Sequence, residues 1–553
     1  MASSDSKAAK VDPQSIGSPK GTRDFYPEDL LRRRYITEVW RAVSIRHGFE
    51  EIDGPTFEHS ELYAVKSGEG ILGELFQAFS GKAEDEREQV RATGNAPFAL
   101  RPEFTPTLAR MYAAKAKQLP KPVRWFCVPN FFRAEKPQRG RLREFMQWNV
   151  DVIGGEEHEA VAHDAEIIGT LVAAMRTLGL RSEHSRVHFS SRHGIDNLFS
   201  ALGVDPADRD SWLQLLDEAK KIGPIGYLQR AHALPGGADL GKKLSRLLLD
   251  EPTESQAETA LSGGGDVSRG IRELGTALNQ SGVEGWHRFD LNIVRGLAYY
   301  TGTVFELIAE GERAVAGGGR YDNLIELFGG PPTPACGFGM GDVVLGNLLD
   351  DHGLMPADGA EMMDAIQRTV SGVSLRPEVF VVSGGEEHDH LVQPLLANLR
   401  SGIEADGFDG KPWDAARFDA ESGGVRPMHA RTTAKATRNL KKLLADAERQ
   451  HARFAVVIHG DEKVQLKDLD AREDVGDFAI DPSAPRMPTC RSAGLMWGGR
   501  SAIASATETN LTDSERIFHG LHQHDQRNRS DRQTRRAVLE VWTLDRWRPA
   551  GRR

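Results

Sequence analysis

The sequence predicts a mixed α+β protein: a large domain built on an antiparallel sheet and interrupted by a helical insertion, followed by a small α/β module. Three observations carry that reading. From about Gly21 to Asp351, segments with helical spacing such as LLRRRYITEVWRAVSIRHGF alternate with strand-like stretches such as FALRPEF, TVFELIA and AVAGGGRYDNL, joined by many glycine-bearing turns. Between about Arg192 and Gly285 strands give way to polar helical segments, DRDSWLQLLDEAKKI and GIRELGTALNQ, the pattern of an inserted subdomain. After the loop around Pro356, PEVFVVS, LVQPLLANLRSGI, TRNLKKLLADAERQ and RFAVVIHG alternate strand and helix, as in a three-layer unit with a parallel sheet.

The boundaries follow from composition. Residues 1–20 are rich in Ser, Ala, Lys and Pro and read as a flexible tail. Residues 21–360 form the large domain, with the insertion at about 192–285, and residues 376–482 form the α/β module. Residues 483–553 are Arg-rich without core spacing and read as a disordered tail.

Over 553 residues, a hydrophobic fraction of 39% is that of a core-forming protein. The net charge of −10 argues against a surface that is basic throughout, so any nucleic-acid contact must rest on local patches. Three widely spaced cysteines, Cys127, Cys336 and Cys490, support neither a disulfide framework nor a thiolate zinc site. No N-terminal apolar region and no membrane-length apolar run is present, so a cytoplasmic protein with no membrane partner is expected. His158 and His163 in HEAVAH stand five apart, about 140° around a helix, and cannot share a metal as an i, i+4 pair would.

Four stretches carry chemistry. VRWFCVPNFF and REFMQWNVDVIG read as two strands of a hairpin whose tip, KPQRG, is rich in turn residues. Arg133, Lys136, Arg139, Arg141 and Arg143 crowd into it, and guanidinium forks match phosphate oxygens. Alternation along the second strand puts Arg143, Gln147, Asn149 and Asp151 on one face and Met146, Trp148, Val150 and Val152 on the other. A solvated outer face is the ordinary reading of such a strand; the arginines feeding it favour a nucleotide site instead. In ALRPEFTPTLARM, a proline inside a strand-like run implies an edge or abrupt turn that would display Glu103 and Thr105. VRGLAYYTGTVFE combines Arg295 with Tyr299 and Tyr300, which suit either a core or a small polar ligand. GGGRYDNL and GFGMGDVVL, holding Tyr321, Gly339 and Gly341, allow close backbone approach to a flat or phosphorylated ligand.

Together these stretches resemble the histidyl-tRNA synthetases, from GTRDFYPED at Gly21 to VQLKDL at Leu469. FRAEKPQRGRLREFMQWNVDVIG is similar to motif 2 of class II synthetases, VRGLAYYTGTVFE and GGGRYDNL to the two histidine-specific signatures, and GFGMGDVVL stands where motif 3 belongs. The resemblance implies a class II antiparallel-sheet catalytic domain and a C-terminal anticodon-binding domain. It implies an aminoacyl-tRNA ligase that makes histidyl-adenylate from L-histidine and ATP, with Mg2+, and charges tRNA(His). A cytoplasmic homodimer with motif 1 near GFEEIDGPTFE is the expected assembly, with no DNA partner.

By resemblance, Arg295 and Arg133 are catalytic, and ATP is held by Arg133, Glu135, Arg141, Arg143, Gly339 and Gly341. Histidine is held by Glu103, Thr105, Gln147, Asp151, Arg295, Tyr299, Tyr300 and Tyr321; metal ligands stay unassigned. In the last module Arg438, Lys441 and Lys442 offer charge to RNA. The chain departs from the family at three places. Val343 and Val344 replace the Glu-Arg pair of motif 3, and Ala298 replaces an Asp. These departures leave an alternative, a catalytically silent relative like the regulatory subunit of ATP phosphoribosyltransferase. Arg143 and Arg320 are the candidates to compensate for the lost arginine.

Overall fold

The computed structural model describes residues 17–67, 69–248, 265–290, 293, 300–309, 314–402, 427–433, 437–460 and 463–479. Most of both tails, together with Arg295, Ala298 and Tyr299, lies outside the described residues.

The first long helix, Pro27–Arg46, begins with a proline that needs no amide hydrogen and carries Glu28 and Asp29 in its first turn, where the helix dipole favours acids. Tyr35, Ile36, Val39, Trp40 and Val43 recur at helical spacing and are buried. The chain then turns at Gly48, whose φ of +84° suits glycine, into β1 (Glu50–Glu51).

A small sheet of β2 (Phe57–His59), β3 (Gln77–Ala78) and β4 (Phe98–Leu100) precedes the main one. The main sheet has nine strands. It takes β1, then β5 (Val123–Cys127), β6 (Asn130–Phe132), β7 (Glu144–Ile153), β8 (Ser185–Ser191), β9 (His287–Phe289), β10 (Thr303–Ala309), β11 (Ala316–Arg320) and β12 (Ala335–Gly341). Their spatial order is β1-β5-β7-β12-β11-β10-β8-β9, with β6 on the outer end of β7. Every pair is antiparallel except β1 with β5 and β8 with β9.

Because side chains alternate along a strand, the sheet has two unlike faces. On one, Trp148 stacks on Trp40 with ring centroids 5.9 Å apart, and its indole N–H donates to Ser44 Oγ at 2.9 Å. Val150, Phe189, Phe305 and Phe338 extend this core beneath the helix Ala160–Thr177. On the other face a smaller cluster joins Phe104, Leu108 and Tyr112 to Trp125, Phe131, Tyr300 and Tyr321. The helices Arg192–Ala201, Arg209–Ala231, Gly237–Leu248 and Gly265–Gln280 lie between β8 and β9 in the chain.

The last part is a five-stranded sheet ordered β14-β13-β15-β16-β17, from β13 (Val379–Ser383), β14 (Ala430–Thr432), β15 (Phe454–Gly460), β16 (Lys463–Asp468) and β17 (Glu473–Ala479). The sequence reading of a parallel sheet needs correction here. β14, β13 and β15 are parallel, whereas β16 and β17 run antiparallel. Two residues separate β15 from β16, enough for a hairpin and far too few for a crossover. Of the charges noted there, Arg438 is engaged by Asp389 at 2.6 and 2.9 Å, while Lys441 and Lys442 are exposed.

Candidate active site

The arginine-rich hairpin is closed by reciprocal backbone bonds between Gln138 and Arg141. Just beyond β6, Arg133 donates its Nε to the carbonyl of Pro102 at 3.1 Å, and its guanidinium lies 5.1 Å from the centre of the Phe145 ring. That contact brings Arg133 to the loop carrying Glu103 and Thr105, which are both half-buried. Arg141 pairs with the Glu135 carboxylate, and Arg143 donates to the Glu135 carbonyl at 3.1 Å. The Arg143 amide is tied to the carbonyl of Gly21 at 2.7 Å. Arg139 does not join them; it pairs with Asp351 at 2.7 Å on the exterior.

Beside the hairpin lies a floor of glycine. Gln147, Asn149 and Asp151 on β7 oppose Gly341, Gly339 and Gly337 on β12. Gly339 and Gly337 oppose Gly317 and Gly319 on β11, which in turn oppose Glu306 and Val304 on β10. His188 and Ser190 on β8 close the far side, with His188 Nδ1 2.9 Å from Asp290. The glycines are sterically required: a Cβ on Gly337 would stand 2.0 Å from Asp151 Oδ1, and one on Gly339 2.2 Å from Gln147 Nε2. Without side chains there, the polar groups of β7 lie across the sheet and leave a flat surface beside them.

The Tyr321 hydroxyl donates to Asp151 Oδ1 at 2.5 Å, and only 6% of Asp151 is exposed. The Tyr300 ring lies along Gly319, 2.9 Å from where a Cβ would stand. Gln147 Oε1 is buried and has no hydrogen-bond partner among the described residues. Behind Asp151, burial and the Asp151 charge hold the Cys127 thiol well above its ordinary pKa, so that cysteine is inert packing. An aspartate and a phenol joined in an apolar pocket can hold a small ring bearing two polar nitrogens.

Directly after β12 the chain enters the helix Asp342–Asp351, whose first turn carries the two valines. Val344 is buried below Gly140 of the hairpin, 3.1 Å from where a Cβ would stand. The neighbouring Asp342 is buried and accepts from Arg23 Nη2 at 2.7 Å and from the Met146 amide at 2.9 Å. Arg320, the second candidate to compensate for the missing arginine, is ruled out by position. It lies on the opposite face of the sheet, 2.7 Å from Asp164 and 3.1 Å from Asp322. Sequence reasoning also missed Arg23 and the structural use of Arg101, which donates to Asp53 and to the carbonyls of Gly54 and Asn130. Asn149 was legible from its place between Gln147 and Asp151 on one strand face.

The family description Histidyl-tRNA synthetase matches residues 21–341, which hold the hairpin and the glycine floor. The chain belongs to the histidyl-tRNA synthetase family. Among relatives, a histidine–tRNA ligase of Opitutus terrae is 39% identical over 345 residues, covering 61% of this chain and 75% of that protein. A histidine–tRNA ligase of Thermococcus kodakarensis is 35% identical over 405 residues, covering 70% of this chain and 85% of that one. The solved histidyl-tRNA synthetase of Nostoc sp. PCC 7120 shares the fold, with a TM-score of 0.52 at 21% identity over 85% of this chain and 97% of that one. The family's class II α+β architecture is the fold described above.

Proposed function

We propose that this chain is a histidine–tRNA ligase, which activates L-histidine with ATP and transfers the histidyl group to the 3′ end of its tRNA. The observation that carries the reading is the Asp151–Tyr321 pair set on a glycine floor beside Arg133, in a chain of the histidyl-tRNA synthetase family. In the first step a histidine carboxylate oxygen attacks the α-phosphorus of ATP, a P–O bond to the β-phosphate breaks, and pyrophosphate leaves. No general base is required, because the attacking carboxylate is already ionised at neutral pH. In the second step a terminal ribose hydroxyl attacks the acyl carbon and AMP leaves with the bonding pair.

Arg133 and Arg295 are assigned to the α-phosphate, where fixed positive charge counters the charge built up in the transition state. Adenine and outer phosphates fall to Glu135, Arg141 and Arg143, with Gly339 and Gly341 beneath them; Arg141 must leave Glu135 to reach a phosphate. Asp151 and Tyr321 take the imidazole, and Gln147 Oε1, Glu103 and Thr105 take the ammonium group. Tyr300 closes the pocket, and Tyr299, outside the described residues, is assigned to histidine by resemblance. A site that satisfies its polar groups only with the correct ring rejects apolar analogues strongly.

Magnesium does not fit as a metal held by the chain at the motif 3 turn. Val343 and Val344 offer no donor, and among the described residues no three His, Cys, Asp or Glu side chains converge. Mg2+ would arrive with ATP, held chiefly by its phosphates and water.

We assign anticodon binding to residues 376–482, and a homodimer is the proposed assembly. No helix among the described residues is long and apolar enough to cross a membrane, and a cytoplasmic location is our proposal. The regulatory-subunit alternative is favoured by the departures at Val343, Val344 and Ala298, whereas the relatives reported above carry ligase names. The test is charging of a tRNA(His) transcript with radiolabelled histidine by the purified chain. Histidine-dependent charging is expected, and a folded protein that binds histidine yet charges nothing supports the regulatory reading.

A further inference from the structure

The two halves of the chain meet at a small polar joint. Arg400, buried on the helix Val392–Ser401, donates its Nε to the carbonyl of Ala430 at 3.0 Å and an Nη to the carbonyl of His47 at 3.2 Å. Arg431 on β14 lies 3.6 Å from the Glu50 carboxylate, and its side chain packs over Gly48, 3.1 Å from where a Cβ would stand. Its Nε is also 3.0 Å from His429 Nε2. Both arginines thus converge on residues 47–50, the turn between the first helix and β1.

That turn is close to the histidine pocket along the sheet. Glu50 is paired with Trp125 of β5, and Trp125 is paired with Asp151 of β7. Two strand steps separate the Arg431 ion pair from the carboxylate assigned to the imidazole. The same helix reaches the insertion as well: Ala397 Cβ stands 3.6 Å from the Cβ position of Gly282, whose carbonyl accepts from Arg176 at 2.7 Å. One helix of the C-terminal module therefore touches both the base of the sheet and the end of the insertion.

The charges at the joint leave it easily biased. The Glu166 carboxylate is already taken by Arg124 at 2.9 and 3.0 Å, and Arg400 donates to backbone carbonyls. Burial and the neighbouring Arg124 and Arg431 push Arg400 down to about 10, with Glu166 opposing. The one carboxylate facing Arg431 from the sheet, Glu50, is 66% exposed. Among the described residues the apolar clusters of the module stay within it, so polar contacts mark the joint, and packed, hydrogen-bonded elements of this kind can carry coupling between sites.

We propose that Arg400 and Arg431 are positioning residues that couple tRNA bound at the C-terminal module to the histidine pocket, through the 47–50 turn. The proposal rests on the anticodon-binding reading of residues 376–482. The test measures charging of the cognate transcript and of one with its anticodon replaced, using the full chain and its Glu50→Gln, Arg431→Gln and Arg431→Lys variants. ATP–pyrophosphate exchange without tRNA serves as the readout of the pocket alone.

Coupling predicts that Glu50→Gln and Arg431→Gln keep exchange within about twofold of the parent while losing cognate charging by about tenfold. The penalty for the wrong anticodon shrinks in the same variants, and Arg431→Lys recovers part of both effects. Glu50→Gln lies at an exposed position and keeps the test valid if an Arg431 variant is poorly folded. Should the parent discriminate anticodons and the variants discriminate equally, the coupling is overturned while the anticodon reading stands. A parent indifferent to the anticodon overturns the anticodon reading, and the coupling with it.

Discussion

The two faces of the main sheet are built from the same strands yet obey opposite rules. On the face toward the first helix, alternate residues of β7 are Trp148, Val150 and Val152, and its charged arginine, Arg320, is locked against Asp164. On the other face the alternate residues are Gln147, Asn149 and Asp151, lying over glycine, with Gln147 Oε1 unpartnered among the described residues. One face packs apolar side chains and closes its charges into ion pairs, whereas the other sets amide and carboxylate groups over glycine, and that difference distinguishes a core from a site for a polar ligand. Stability should reside in the first face and activity in the second.

The largest effect expected is on the core face. Asp164→Ala removes the buried partner of Arg320 and leaves it only Asp322 and the Ala160 carbonyl, which should cost about 3 kcal/mol of stability in urea unfolding, with the histidine KM of the folded fraction unchanged. A stability change below about 1 kcal/mol would show that this pair is not the buried element it looks to be. Next, Arg133→Ala should lower histidine-dependent exchange by about 10²- to 10³-fold while moving the unfolding midpoint little. A large stability loss with normal exchange would exchange the roles of the two faces.

A smaller change sharpens the contrast. Gly337→Ala must displace the Asp151 carboxylate and should raise the histidine KM by roughly tenfold, about 1.4 kcal/mol, with a lesser effect on the KM for ATP. Equal loss for both substrates would mean that the floor itself, and not Asp151, was damaged. A pH effect concerns the joint between the halves. Burial, then the charge of Arg431, holds His429 down to about 3, and burial with Arg400 and Arg46 holds His47 well below its ordinary value.

Both folded values lie below the unfolded one, so the unfolded chain protonates first. The joint is unaffected above about pH 6.5 and weakens as pH falls toward 3, by roughly 1.4 kcal/mol per pH unit for each histidine. Glu50 and Glu378, which faces the His429 amide at 3.1 Å, are the nearby carboxylates that would moderate this. Thermal unfolding between pH 7.5 and 5 should show the C-terminal half loosening first; a transition insensitive to pH contradicts the assignment.

Much of this was legible from residues because period-two alternation is a local signal. β7 could be divided into a core face and a polar face, and the glycines of β11 and β12 marked a place of close approach. What escaped was long-range pairing. Nothing local to GGGRYDNL says that Arg320 points through the sheet to Asp164, 156 positions away. Arg23 and Asp342, 319 positions apart, were likewise invisible as a pair, although Asp342 stands beside the two valines that raised the question of the triphosphate. The antiparallel end of the second sheet escaped because β16 and β17 are polar, so the clearer βα alternation before them set the reading.

The central claim is that the polar face of the sheet activates histidine. Histidine-dependent ATP–pyrophosphate exchange by the purified chain, compared with its Asp151→Asn variant, tests it most directly. Robust exchange in the parent and a sharply raised histidine KM in the variant is the predicted result. A parent that is folded and binds histidine but exchanges no pyrophosphate, or a variant with unchanged KM, would contradict it.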